Sequence, residues 1–336
     1  MLWYAIASLT PAALLGLAAL FGGPFPLLGL MSITVLVFFM DKLTRQLPDT
    51  TSTGRRLSLV LAAVHFPLLA LGVWALGAHP ALTLIDKLLI FTGLGLYFGQ
   101  VSNSNAHELI HASARLPRRI GIAIYISLLH GHHVSAHLRV HHIFAATDAD
   151  PNSARAGEGF WAFALRALRG EFVAGWHADS RHRSRAPARS PLSHPYVAYI
   201  AGGILMLITA LLIGGFKGLI LYLCLALYAQ LQLLLSDYVQ HYGLRRAPQS
   251  NGKPEPMGAQ HSWNAPKWYS NAMMLNAPRH SDHHMHPARA FPALRINPTH
   301  MPMLPHSLPV MAVLALFPPL WRRIMDRRLA KWQNPA

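Results

Sequence analysis

Six runs of apolar side chains, at 3–21, 25–40, 57–77, 86–102, 197–214 and 217–238, constrain this chain more than any other feature. Each is about long enough to cross a hydrocarbon core, which takes roughly 17–25 residues of helix. In that solvent a backbone must satisfy its own hydrogen bonds, so runs of this length become helices. The run at 25–40 is short and the run at 86–102 ends in polar residues, which makes these the two weakest spans. Composition agrees: 52% of the 336 residues are hydrophobic and 12% are charged, a balance outside that of ordinary soluble domains. The expected fold is an all-α integral membrane protein with six transmembrane helices, a single membrane domain over 1–336. The first Lys or Arg is Lys42, so the basic flank of a cleaved signal peptide is missing and the first run reads as a retained helix.

Charge placement orients those helices. The turn at 22–24 and the loop at 78–86 carry no Lys or Arg, and the tight turn between the last two runs contributes only Lys217. The 41–56 loop holds Lys42, Arg45, Arg55 and Arg56, the segment 103–196 holds eleven Arg, and twelve Lys or Arg follow the sixth run. The positive-inside rule then puts both termini and both large polar segments, 103–196 and 239–336, in the cytoplasm. The net charge of +16 belongs to that face, where it suits anionic lipid headgroups and an acidic docking partner. Nucleic-acid binding is not expected, because the basic residues form no recognised motif.

Cys224 is the one cysteine and lies within an apolar run, which excludes a disulfide and a four-cysteine iron–sulfur site. GLGLYFG at 93–99 lacks the strand-then-helix context of a dinucleotide site, so its glycines read as helix-packing positions. Any redox chemistry here needs electrons from another protein. The Arg-rich run 177–190 reads as a solvated loop and 245–267 as a loop rich in Pro, Gly, Asn and Gln. The run 308–321, with Pro309, Pro318 and Pro319, reads as a packed or interfacial helix.

Histidine carries the chemistry. HELIH holds His107 and His111, HLRVHH holds His137, His141 and His142, QHYGL holds His241, and HSDHH holds His280, His283 and His284. Neutral imidazole is the commonest nitrogen ligand of iron, zinc and copper, and spacings of three and four residues share a helix face. All nine fall in the polar segments or at the ends of runs on the same side, which points to a histidine-rich multi-metal site on the cytoplasmic face. Between 130 and 142 there are six histidines, and periodicity allows either a His133, His137, His141 ladder or a His137, His141, His142 box. His130, His132 and His133 otherwise read as interfacial or supporting histidines. Glu108, Asp150 and Asp282 are the carboxylates near enough in sequence to support the site, with Asp282 suited to fix a ligand imidazole's tautomer. HELIH also fits the H-E-x-x-H of zinc proteases, in which the Glu is the general base.

NAHELIH at 105–111, the paired His141 and His142 followed by ATDADPNSAR, QHYGL at 240–244, HSWN at 261–264 and RHSDHHMHPARAFPALR at 279–295 resemble the membrane-bound alkane 1-monooxygenases. That family belongs to a histidine-box superfamily with xylene monooxygenase and the fatty acid desaturases. The resemblance runs from about residue 86 to 295 and selects His137, His141 and His142 as the second box. It implies a six-helix membrane fold, two non-haem irons held by the nine histidines, and O2-dependent hydroxylation of a terminal methyl. It further implies electrons from a rubredoxin- or ferredoxin-type donor with its NAD(P)H-dependent reductase, and a multi-pass location in a bacterial inner membrane. Three positions depart from the family pattern: Ala136 and Gln240 stand where Glu is usual, and Val140 where Gly is usual.

Three readings compete: a hydroxylase of alkyl or aromatic methyl groups, an acyl-lipid desaturase with the same metals, and a zinc protease built on HELIH. In the first two, the spans supply a dry channel from the lipid, since an alkane enters a bilayer with about 0.8 kcal/mol per CH2. Phe38, Phe39, Phe66 and Trp74 are the bulky residues expected to set its length.

Overall fold

The computed structural model describes residues 1–43, 47, 52–185 and 190–333. Arg45 of the basic 41–56 loop and the 186–189 part of the Arg-rich run lie outside the described residues. Every regular element among them is helical: α1 (Leu2–Phe21), α2 (Phe25–Met40, broken at Thr34), α3 (Arg55–Gly77), α4 (Leu84–Ile110), α5 (Arg115–Ser127) and α6 (133–144). There follow α7 (Phe160–Ser184), α8 (Pro195–His241), α9 (Trp268–Met273), α10 (His280–Met285), α11 (Leu308–Ala315) and α12 (Pro318–Gln333). Four of these, α1, α3, α4 and α8, are long and apolar enough to cross a membrane.

Helix α8 accounts for two of the apolar runs. A Cβ on Gly202 would lie 2.6 Å from Ile126 Cγ2, while the Tyr222 hydroxyl donates to the carbonyl of Ser127 at 2.9 Å. A straight helix would hold residues 202 and 222 about 30 Å apart, so α8 doubles back between them. The reversal is at Gly215, whose φ of 63° and ψ of −167° suit a residue without a Cβ. This is where the sequence puts a tight turn.

Helix α4 begins with a capping box. Thr83 Oγ1 accepts from the Asp86 amide at 3.1 Å and Asp86 Oδ2 accepts from the Thr83 amide at 3.0 Å, satisfying two otherwise free donors. It then runs past the expected end of its apolar run, through a π-turn at Phe98–Ser102, and carries HELIH on its last turns. Polar side chains bind the helices together inside the apolar core. His65 bridges Ser102 Oγ at 2.9 Å and Ser127 Oγ at 2.7 Å, and Asn103 donates to the carbonyl of Ala229 at 2.9 Å.

The glycines of GLGLYFG are packing positions, as expected. A Cβ on Gly95 would meet the Tyr228 ring at 2.0 Å and one on Gly99 would meet Gln232 Cβ at 2.4 Å. The 177–190 run departs from the expected loop, because α7 continues to Ser184. Its inner face explains why: Ala178 and Asp179 are buried, and Asp179 accepts from Arg139 Nε at 2.6 Å while Arg181 and Arg185 are exposed. The run 308–321 forms α11 and the start of α12, packed against α8.

The α3 and α8 backbones pack directly on one another. A Cβ on Gly77 would lie 2.5 Å from the carbonyl oxygen of Gly214 and 2.7 Å from Gly218 Cα, both immobile backbone atoms. Gly77→Ala is therefore expected to destabilise the protein by about 1–3 kcal/mol through overpacking. Gly16→Ala, where nothing lies within 4 Å, is expected to leave stability unchanged or raise it. Melting temperatures in detergent check the pair, and equal values would remove the crossing as a constraint.

Candidate metal centre

Four helical segments deliver the nine histidines: the end of α4, α6, the end of α8, and α10. They form two groups. His107, His111, His137, His142 and His283 make one, and His141, His241, His280 and His284 the other, with donor atoms within 4.8 Å of one another in each. Helical spacing decides the sorting. His107 and His111, and His280 and His284, are one turn apart and share a group. Adjacent residues project about 100° apart, so His283 and His284 fall in different groups. Helix α6 is wound as a π-turn over His137–His141. Its wider turn brings His137 and His142, five residues apart, into the same group and sends His141 to the other.

In the first group, His111 Nε2 lies 3.1 Å from His137 Nε2 and from His142 Nε2, and the last two are 2.9 Å apart. His283 Nε2 is 3.2 Å from His142 Nε2. In the second, His280 Nε2 lies 2.9 Å from His241 Nε2 and 3.1 Å from His284 Nε2. Each Nε2 carries either a proton or a lone pair. Around the triangle of His111, His137 and His142, at least one pair must therefore present like to like. No set of hydrogen bonds satisfies such a triangle, whereas a cation accepting all three lone pairs does. Neighbouring donors about 2.1 Å from a shared ion are themselves separated by about 3 Å. The donor set fits metal ions.

Protonation is consistent with that fit. His111, His137, His142, His280, His283 and His284 are all held well below the ordinary histidine range, first by burial and then by the repulsion of neighbouring imidazoles. Neutral rings keep their lone pairs. His141 differs: burial lowers it, but the Asp150 carboxylate beside it outweighs that and raises it. Asp150 Oδ2 is 2.9 Å from His141 Nδ1, and the same oxygen accepts from Ser153 Oγ at 2.6 Å. This leaves His141 Nε2, buried and without a hydrogen-bond partner, on the side of the second group. A carboxylate behind an imidazole in this way orients the ring and raises its basicity.

The other two sequence-flagged carboxylates lie elsewhere. Asp282 does not touch a histidine of either group. It accepts from Arg289 Nη1 at 2.6 and 2.7 Å, from the Arg295 amide at 2.8 Å and from His286 Nδ1 at 3.0 Å, so it ties down the 286–295 segment. Glu108 accepts only a long bond, 3.4 Å, from the Phe291 amide, in a cavity it shares with Arg55 and His111. The sequence alone assigned no role to Glu171, Asn152 or Asp237. Asn152 Nδ2 donates to Asp237 Oδ2 at 2.8 Å and to Glu171 Oε2 at 3.2 Å. His130, His132 and His133 surround Glu171. Glu171 is one of only two acids, with Asp179, amid the apolar and basic residues of α7, and that contrast was the available signal for it. Gln240 accepts from Ser236 Oγ at 2.7 Å and donates to the carbonyl of Ala277 at 3.1 Å, bracing the approach to α10.

Asp150→Asn removes the charge behind His141 and keeps its shape. Metal affinity is expected to fall about 10–100-fold, mainly in the second group. Chelator competition followed by metal analysis checks this, and an unchanged affinity would detach Asp150 from the centre.

Residues 87–315 match the fatty acid desaturase family. Among curated proteins, the chain is 29% identical to alkane 1-monooxygenase 2 of Pseudomonas aeruginosa, over 84% of this chain and 76% of that protein. It is 30% identical to alkane 1-monooxygenase 1 of Alcanivorax borkumensis, over 83% of this chain and 68% of that protein. The xylene/toluene monooxygenase hydroxylase component of Pseudomonas putida is 26% identical over 68% of this chain and 61% of its own. With membrane-length helices, two groups of converging histidines and these relatives, the chain is an oxidoreductase of the monooxygenase class and belongs to the alkane 1-monooxygenases of the fatty acid desaturase family.

Proposed function

We propose that this protein hydroxylates the terminal methyl of an alkane or alkyl chain, using O2, at a diiron centre. His107, His111, His137, His142 and His283 hold one iron and His141, His241, His280 and His284 the other. The observation that carries the reading is an apolar cavity that leads to the histidines. A cavity of about 370 Å³ is lined by Val37, Phe38, Leu96, Leu235, Leu308 and Val313 among others. A smaller one of about 50 Å³ is lined by His107, His137, His280 and Asp237. Gly99, Ser236 and Met274 line both, so the two adjoin. An alkyl chain fits the first with its end directed at the second.

Irons bound there would supply the reductive activation of O2. The balance is one oxygen atom into the alcohol and one into water, with two electrons and two protons taken up. The chain's own side chains do the rest. The apolar lining excludes water and holds the methyl end against the histidines. Asp237, the one carboxylate lining the small cavity, is fixed through Oδ2 by Asn152 and is placed to pass a proton. Asp150 holds the His141 tautomer. Of the aromatic residues expected to set substrate length, Phe38 lines the cavity. Phe39 is exposed, Phe66 packs on His65 and Trp74 on His79, so the cavity's length is set chiefly by aliphatic side chains.

The two legs of α8, together with α1, α2, α3 and α4, make six spans of one membrane domain, with both termini and the histidines on the cytoplasmic side of a bacterial inner membrane. The basic segments on that side, part of a net charge of +16, suit docking of an acidic rubredoxin- or ferredoxin-type donor served by an NAD(P)H-dependent reductase. Substrate reaches the cavity from the bilayer.

Purified protein supplied with a donor system, an n-alkane and labelled O2 is expected to yield the primary alcohol carrying one labelled oxygen. An alkene without alcohol would indicate a desaturase instead. Metal analysis is expected to give two irons per chain at this centre, with loss in His284→Ala; zinc without any iron in the wild type, unaffected by that change, would return HELIH to a protease. Leu235→Trp is expected to shorten the longest alkane converted, with shorter ones still turned over. An unchanged chain-length profile would move the substrate out of this cavity.

A further inference from the structure

Beside the nine-histidine centre lies a second convergence of metal-binding groups that the proposed reaction does not use. Glu171, on α7, is fully buried. Its Oε1 is in close contact with His130 Nε2 and 3.3 Å from His132 Nε2, and its Oε2 is 3.1 Å from His133 Nδ1. The donors of His130, His133 and Glu171 all fall within 4.8 Å of one another, the width of one coordination sphere with bonds of about 2.0–2.3 Å.

A carboxylate can gather imidazoles by hydrogen bonds alone, so the geometry must discriminate. His132 Nε2 is close to Oε1 but misdirected for a hydrogen bond, and it is buried with no hydrogen-bond partner. A lone pair aimed at a cation beside the carboxylate needs no alignment with the oxygen itself. The local backbone is also costly. Leu129, just before this cluster, has φ of +55°, a conformation that bulky residues rarely adopt and that tends to mark functional positions. Gly131, between His130 and His132, has no room for a side chain, since a Cβ would meet Tyr199 at 2.9 Å. The chain is bent tightly here so that three imidazoles reach one carboxylate.

We propose that His130, His132, His133 and Glu171 bind a third metal ion, a divalent cation of the zinc class. His130, His133 and Glu171 converge as three donors, and His132, outside that group but with Nε2 3.3 Å from Glu171 Oε1, is the fourth; such a set is of borderline softness, which suits zinc and needs no redox change. None of the four residues belongs to the nine. The ion pins residues 130–133 to α7, and the His133 ring stacks at 5.3 Å on that of His137. It thereby holds the start of the π-turn that sorts His137, His141 and His142, and acts as a structural anchor of the centre.

Zinc and iron are measured by mass spectrometry on protein purified without chelators and equilibrated with a small excess of Zn(II). The wild type is expected to hold one zinc in addition to the metal of the nine-histidine centre. Glu171→Gln and His132→Asn should each lose that zinc and retain iron, whereas His284→Ala should lose iron and retain the zinc. Wild type with no additional zinc overturns the proposal, and so does a zinc that survives both variants or disappears with His284→Ala. The wild-type stoichiometry and the His132 variant, at the most exposed of the four side chains, keep the test decisive if Glu171→Gln does not fold.

Discussion

Lone pairs that face one another in a dry interior repel, and imidazoles packed into two groups, most of them held neutral by burial, concentrate that repulsion at one end of the helices. His111, His137 and His142 meet at 2.9 to 3.1 Å, with no arrangement of protons that satisfies all three. Such a knot holds together only if a cation draws the lone pairs inward or if the scaffold leaves the rings no alternative. This scaffold supplies the second condition and is shaped for the first. Burial keeps most of the rings neutral, and α8, which carries His241, is locked against α3 by the backbone approach of Gly77 to Gly214 and Gly218.

Helical winding divides the donors between the two groups. Where a helix is regular, as in α10, residues four apart point together and adjacent ones apart. Where one turn must send His137 and His142 to one group and His141 to the other, the helix widens into a π-turn over His137–His141. A second π-turn, Phe98–Ser102, lies just before HELIH in α4. Both deviations lie next to ligand-bearing turns, as expected if backbone regularity gives way where side-chain direction matters more.

Negative charge is arranged around the histidines. Asp150 touches His141 directly, while Glu171 and Asp237 are joined through Asn152. Bound cations would bring positive charge into a medium that does not screen it, and buried carboxylates offset that without occupying the donor positions. These carboxylates come from three places in the chain: the turn after α6, α7 and α8.

The sequence by itself made the long apolar helices and the histidine clusters legible. Apolar runs of bilayer length have few alternatives to helix, the glycines of GLGLYFG read as packing positions, and nine histidines at helical spacings read as one convergence. It also carried the reversal near 215, because a helix of that length exceeds any bilayer. It did not determine which histidines share a group, since that depends on a π-turn that spacing does not encode. Nor did it show that Asp282 serves Arg289 and His286, or that Glu171 meets His130, His132 and His133 across some forty residues of chain. Phe66 and Trp74 were plausible channel residues until packing turned them onto His65 and His79. Periodicity is a local property and is readable along the chain. Which carboxylate meets which imidazole, and which side chains face a cavity, depends on how separate helices dock, and only the tertiary structure decided it.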